Sequence, residues 1–227
     1  MNTADPARTQ ILARITRALG GAPASPPVQR DYRTSGEHAA GAPELVELFT
    51  DRLIDYRAHV HHVTHDQVAA TITHIATTHA GPGAQLAVAP DLPHRWRHGW
   101  TWIEDHQLPP ATLDQLDGAV TTCALAIAET GTIVLDTGPG QGRRAITLVP
   151  DLHICLIATN QIVHTIPEGL ARLDPHRPLT LISGPSATSD IELQRVEGVH
   201  GPRTLHVLLI DIGPGEDLET RNPGRRA

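Results

Sequence analysis

The run Ser183-Gly184-Pro185-Ser186-Ala187-Thr188-Ser189-Asp190-Ile191-Glu192, followed by Arg195-Val196-Glu197-Gly198-Val199-His200-Gly201-Pro202, gathers hydroxyls, acids and a histidine between two apolar segments. Those segments, Leu179 to Ile182 and Leu205 to Ile210, read as strands. The polar residues therefore belong to a loop and short helix at a strand's carboxyl end, the edge at which open α/β sheets bind ligands. Gly184-Pro185 sets a sharp turn that presents the Ser183 and Ser186 hydroxyls on one rim. Ser189 and Glu192 have capping-box spacing, so helix initiation accounts for that pair and leaves Ser183, Ser186 and Asp190 for a ligand. His200 can act as a general base near neutral pH, hydrogen-bond a substrate oxygen, or equally hold two loops together.

A second polar segment, Gly138-Pro139-Gly140-Gln141-Gly142-Arg143-Arg144, also follows a strand. Its backbone N–H groups can cradle an anion while Arg143 or Arg144 closes over it with a forked guanidinium. It reads equally as a plain turn with solvated arginines, and its glycines lack the spacing of a dinucleotide fingerprint. Glu129 ends an apolar strand. Its carboxylate must be exposed, bonded to backbone or held in a site, because an unpaired buried charge is costly. Gly131, just beyond Thr130, permits a bend or bulge. His153 opens an apolar strand and reads as structural.

Composition narrows the chemistry. The chain has 18 basic and 25 acidic residues for a net charge of −7, which opposes nucleic-acid and anionic-membrane binding through bulk electrostatics. Every basic side chain counted is arginine. Without lysine there is no Schiff-base nitrogen and no Walker-A lysine, and anion clamping falls to guanidinium groups. The two cysteines, Cys123 and Cys155, form no CxxC pair and cannot supply a four-cysteine cluster or zinc site, so they read as reduced, buried thiols. Of His59, His61, His62 and His65, the first two share one face of a strand while His65 begins a helix, so no single element presents a ligand set and no metal site is assigned. No apolar stretch reaches the length of a membrane span, and no signal-peptide core is present at the N-terminus.

The positioning elements follow from periodicity. Asp5-Pro6 opens a helix whose Ile11, Leu12, Ile15 and Leu19 form an apolar stripe, Gly20-Gly21 ends it, and Ala22 to Pro43 reads as a linker. A helix is expected over Glu44 to Tyr56, a strand over Val60 to Val63, and a helix capped by Thr64 that runs to about Thr78. Gln85 to Ala89 reads as a strand, Trp96 to Trp102 as irregular, and Leu113 to Leu116 as helical. Val120 to Ala128, Gly131 to Leu135 and His153 to Ala158 are further strands, with a short helix over Pro167 to Leu173. Alternating strands and helices predict an α/β fold: a three-layer, mainly parallel sheet covered on both sides, with an N-terminal helical extension. The expected divisions are residues 1–42 for helix and linker, 43–212 for the domain, and 213–227 for a disordered tail.

Several of these words stand in a fixed order: Glu129-Thr130-Gly131-Thr132-Ile133-Val134-Leu135, Gly142-Arg143-Arg144, Val149-Pro150-Asp151-Leu152-His153 and the Ser183 to Pro202 run. Together they resemble the LUD domain of the lactate utilization protein C family. The resemblance implies a sheet similar to the NagB/RpiA/CoA-transferase class and a cytoplasmic subunit of a bacterial system that oxidises L-lactate to pyruvate. It implies as partners a ferredoxin-like iron-sulfur subunit and a cysteine-rich subunit, with the iron-sulfur clusters held there and no cofactor in this chain. In the CoA-transferase class a glutamate is the nucleophile, which makes Glu129, with His200, a candidate catalytic residue. Thr130, Gly131, Gly142, Arg143, Arg144, Ser183, Gly184, Ser186 and Asp190 are the candidates for binding a small carboxylate. An independent enzyme acting on a small anion or CoA thioester through Glu129 remains open, as does a noncatalytic scaffold.

Overall fold

The computed structural model describes residues 6–20, 28–97, 100–185, 187–189, 195–197 and 201–212. Five helices are present among them: α1 (Pro6–Leu19), α2 (Pro43–Asp55), α3 (Val68–Ala80), α4 (Pro110–Leu113) and α5 (Ile166–Ala171). The strands are β1 (His59–Thr64), β2 (Gln85–Val88), β3 (Thr101–Glu104), β4 (Gly118–Thr122), β5 (Leu125–Ile127) and β6 (Thr132–Leu135). They continue with β7 (Leu152–Ala158), β8 (Ile162–Val163), β9 (Thr180–Ile182), β10 (Ala187–Ser189), β11 (Arg195–Glu197) and β12 (Thr204–Asp211).

Six strands form one wholly parallel sheet in the order β1-β12-β7-β4-β2-β3. Its central strand β7, Leu-His-Ile-Cys-Leu-Ile-Ala, is buried at all seven positions, as a parallel strand covered on both faces requires. Alternation along it separates two cores. Leu152, Ile154, Leu156 and Ala158 pack with Val68, Ile72, Ile75 and Ala76 of α3, while Cys155 and Ile157 face Leu45, Phe49 and Leu53 of α2. Those three α2 residues recur at helical spacing and are fully buried. Each such side chain stabilises the fold by roughly 1.5–3 kcal/mol relative to exposure.

The α/β class and mainly parallel sheet follow the expectation, but the third layer is not helical alone. Beside α2 it contains a four-stranded sheet, β8-β5-β6-β9, assembled from the connections that leave β4 and β7. β6 and β9 are antiparallel, with Leu135 opposite Thr180. The segment entering the Ser183 loop thus belongs to this second sheet, not to the carboxyl edge of the parallel one. Where a helix cap was expected at Ser189, the backbone is a strand: β10 and β11 pair antiparallel, with Ser189 opposite Arg195. The stretch read as irregular holds β3, which pairs with β2 and places Trp102 opposite Leu86.

Residues up to Tyr32 and those from Arg33 onward form separate compact units. Within the second, the segment before α2 is fastened to the core. Gly36 N–H donates to Glu168 Oε1 (2.7 Å), Glu37 N–H to His164 Nδ1 (3.0 Å) and Gly41 N–H to Ile162 O (2.9 Å). On α1, Ile11, Leu12, Ile15 and Leu19 are exposed. Deleting residues 1–32 is therefore expected to leave a cooperatively unfolding domain while weakening assembly with partner chains that cover the stripe. Thermal unfolding with size-exclusion chromatography checks this; loss of a cooperative transition would place the first unit within the fold's core.

Candidate functional site

The hairpin β5–β6 turns through Ala128-Glu129-Thr130-Gly131, with Gly131 N–H bonded to Ala128 O (3.3 Å). Gly131 has φ +61°, and a Cβ there would fall 2.7 Å from the Arg52 Cβ on α2. Gly184 has φ +85°, and its added Cβ would lie 2.6 Å from the Tyr56 Cβ. Both glycines thus bring backbone against the end of α2 where a side chain has no room. They also bring two loops together: Thr130 Oγ1 contacts Thr132 Oγ1 (2.8 Å), which contacts Ser183 Oγ (2.8 Å).

Ser183 and Gly184 open onto a cavity of about 300 Å³ that Arg144 and Thr180 also line. Arg144 begins a 3₁₀ turn, Arg144–Thr147, and its guanidinium has no hydrogen-bonded or ionic partner among the described residues. Gly201 lies on the rim, and His153, only 1% exposed, closes the inner side. His153 Nε2 meets the Thr121 hydroxyl at 2.8 Å. Burial pushes its pKa down to about 4, so the imidazole is neutral at physiological pH. The cavity combines one charged fork, neutral hydroxyls and apolar walls from Leu148, Ile182 and Leu205.

The adjacent arginine has a different duty. Arg143 donates to both Asp105 oxygens (2.6 and 2.9 Å) and to Leu108 O. Burial alone would raise the Asp105 carboxyl, but the Arg143 hydrogen bonds and the Leu108 N–H hold it below the ordinary carboxylate value. Arg143 thereby pins the loop to the segment after β3. Gly142, at φ +66°, packs close to Ile146 and lets the chain turn from loop into 3₁₀ helix.

Glu129 lines neither this cavity nor the larger one at the opposite sheet edge. Its carboxylate pairs with Arg33, and both side chains are substantially exposed. Ser186, Asp190 and His200 lie outside the described residues. The structure thus brings Arg144, Ser183 and Gly184 to one cavity, with Thr130 linked to them through Thr132 and Glu129 turned elsewhere. His153, Thr180 and Gly201 were not singled out as ligand-facing residues, although His153 stands in the same sequence words as the arginines. At the β1–β12 edge, His61 Nε2 meets His206 Nδ1 at 2.9 Å and His59 stacks on His206, yet no group among the described residues is placed to hold a metal ion.

Comparison with known proteins gives this geometry a lineage. Lactate utilization protein C of Deinococcus radiodurans is 41% identical over 90% of this chain and 95% of its own length. The chain belongs to the lactate utilization protein C family. A relative of the same name from Exiguobacterium sp. is 32% identical over 90% of this chain and 96% of its own. The LUD domain model matches residues 111–210, a range that holds Arg144, His153 and Ser183. Among solved structures, a DUF162 family protein from Deinococcus radiodurans superposes with a TM-score of 0.62 at 36% identity, covering 74% of this chain and 96% of that one. The family assignment therefore rests on nearly the whole chain. No described helix is long and apolar enough to cross a membrane.

Proposed function

We propose that this protein is a cytoplasmic subunit of a bacterial L-lactate oxidation system and binds a small carboxylate in the Arg144 cavity. The family supports the system, and the observation that carries the binding role is the Arg144 guanidinium, without a partner among the described residues, in a cavity that also holds Ser183. A carboxylate there takes two parallel hydrogen bonds from Arg144, while the Ser183 hydroxyl, already joined to Thr132, retains capacity for a ligand oxygen. His153 adds no charge, so among the described residues the cavity presents one cation to one anion.

Oxidation of lactate to pyruvate releases two electrons and two protons. Two buried cysteines supply no cluster ligation in this chain, so the electrons pass to the iron-sulfur and cysteine-rich partner subunits of the proposed assembly. This chain's part is to bind and orient. The reading as an independent transferase through Glu129 is less favoured, because that carboxylate is tied to Arg33 at a hairpin tip.

Arg144→Ala is expected to weaken L-lactate binding about 10-fold or more, the equivalent of one charge-assisted hydrogen bond, with unchanged thermal stability. Calorimetric titration of L-lactate into the wild-type and variant chains measures it. Equal affinity in both would remove Arg144 from the site.

A further inference from the structure

We infer that the protein carries a second ligand site, at the carboxyl edge of the parallel sheet, for a zwitterion with an apolar body: an amino acid or a short peptide with free termini. Strands β2 and β4 are neighbours, but the chain leaves β2 toward β3 on one side and leaves β4 toward β7 on the other. Where connections diverge in this way an open α/β sheet has a crevice, and ligands settle there. A cavity of about 500 Å³ occupies the position, within the size range of small-molecule sites. It is distinct from the Arg144 cavity. β7 runs between the two, with His153 at one and Ala158 at the other, about 16 Å apart at the rise of an extended chain.

Most polar groups in this second cavity already serve the protein. Gln161 Oε1 accepts from Ala158 N–H (2.9 Å) and its Nε2 donates to Cys123 O (2.9 Å), while Arg177 Nη1 bonds Asp136 Oδ2 (2.7 Å). Two charges are left over. Asp91, beyond β2, and Arg172, beyond α5, have no hydrogen-bonded or ionic partner among the described residues. Trp96, almost wholly buried, adds part of the wall.

One acid and one base in the same cavity, neither with a partner among the described residues, select against ligands of single sign. A plain anion drawn to Arg172 meets Asp91, and a plain cation drawn to Asp91 meets Arg172. A zwitterion satisfies both, its ammonium on Asp91 and its carboxylate on Arg172. Leu125 and Leu173 offer apolar wall to the ligand's body.

The test uses the full chain. Thermal-shift measurements with each protein amino acid in turn, and with L-leucyl-L-leucine and L-alanyl-L-phenylalanine, find the tightest binder. Calorimetry then compares that compound with its N-acetylated and C-amidated forms. Blocking either terminus is expected to weaken binding about 10-fold or more. Arg172→Ala should equalise the free acid and the amide, and Asp91→Asn the free amine and the acetylated form. Tighter binding of a dipeptide than of any amino acid assigns the site to peptides, and the reverse order to free amino acids. Absence of saturable binding by every compound, or affinity indifferent to both blocking groups, overturns the inference.

Discussion

Asp136→Ala is expected to destabilise the protein by about 3 kcal/mol and to weaken carboxylate binding at Arg144, although the two residues line different cavities. Asp136 is 8% exposed and organises the loop between them. Its Oδ1 accepts from Gly138 N–H (3.0 Å) and Gln141 Nε2 (3.0 Å), its Oδ2 from Arg177 (2.7 Å), and its own N–H donates to Gln141 Oε1 (2.7 Å). Truncation leaves the Gly138 N–H and the Gln141 amide short of an acceptor in a buried place, which carries most of the cost. The half-exposed Arg177 recovers water and contributes less.

The same loop crosses the end of β4, where Thr122 N–H donates to Gly140 O (3.1 Å) and the Thr122 hydroxyl to Pro139 O (2.6 Å). Beyond it Arg143 clamps Asp105 and Arg144 enters its cavity. Loosening the first anchor therefore relaxes the placement of the guanidinium at the far end. Asp136→Asn, which keeps one acceptor, should lose less. Urea unfolding of the three proteins measures the effect. A change below about 0.5 kcal/mol for the alanine variant, the range of ordinary surface substitutions, would show that Asp136 organises nothing.

What could be read from the sequence divides by the distance over which each feature is decided. α2 and α3 were legible because apolar residues recur at helical spacing within a single segment, as Leu45, Phe49 and Leu53 do. β7 and β12 were legible as apolar runs broken only by His153 and His206. The sheet each strand joins was not, since pairing is set by partners remote in the chain. The run ending at Ile182 reads as a strand but joins β6 rather than the parallel sheet, which moves the Ser183 loop away from the edge assigned to it. β3 was hidden because Thr101-Trp102-Ile103-Glu104 is short, and only pairing with β2 makes it a strand.

Site residues follow the same division. Sequence gives Arg144 only a slight edge over Arg143; Asp105 separates them by engaging Arg143. Glu129 looked chemically poised at a strand end, and Arg33, far from it in sequence, holds its carboxylate at the hairpin tip. The switch point between β2 and β4 exists only once strand order is known, so Asp91 and Arg172 carried no signal of their own.

Acidification should destabilise the fold from about pH 6.5, well above the range in which the carboxylates contribute, because of a histidine. Burial holds the folded-state pKa of His153 at about 4, against about 6.5 for an unperturbed imidazole. A depressed folded pKa means that the unfolded chain takes up the proton first. Stability is thus fully present above pH 6.5 and falls as the pH drops toward 4, by about 2 kcal/mol at pH 5 and about 3 kcal/mol at pH 4. His206, lowered to about 3 by burial and by its neighbours His59, His61 and His79, acts in the same direction, with a smaller effect because water reaches part of the ring. Glu104 and Glu168, held below their ordinary value of 4.5, add to the loss only at the lower end of that window, and Asp151, held below 3.8 by Arg203, beneath it. Urea unfolding between pH 7.5 and 4.5 should show stability declining from about pH 6.5, and His153→Gln should flatten that slope whatever it does to stability at neutral pH. A pH profile that His153→Gln leaves unchanged would mean that the ring gains its proton without leaving the fold, and the wall it forms behind Arg144 would then be charged in acid.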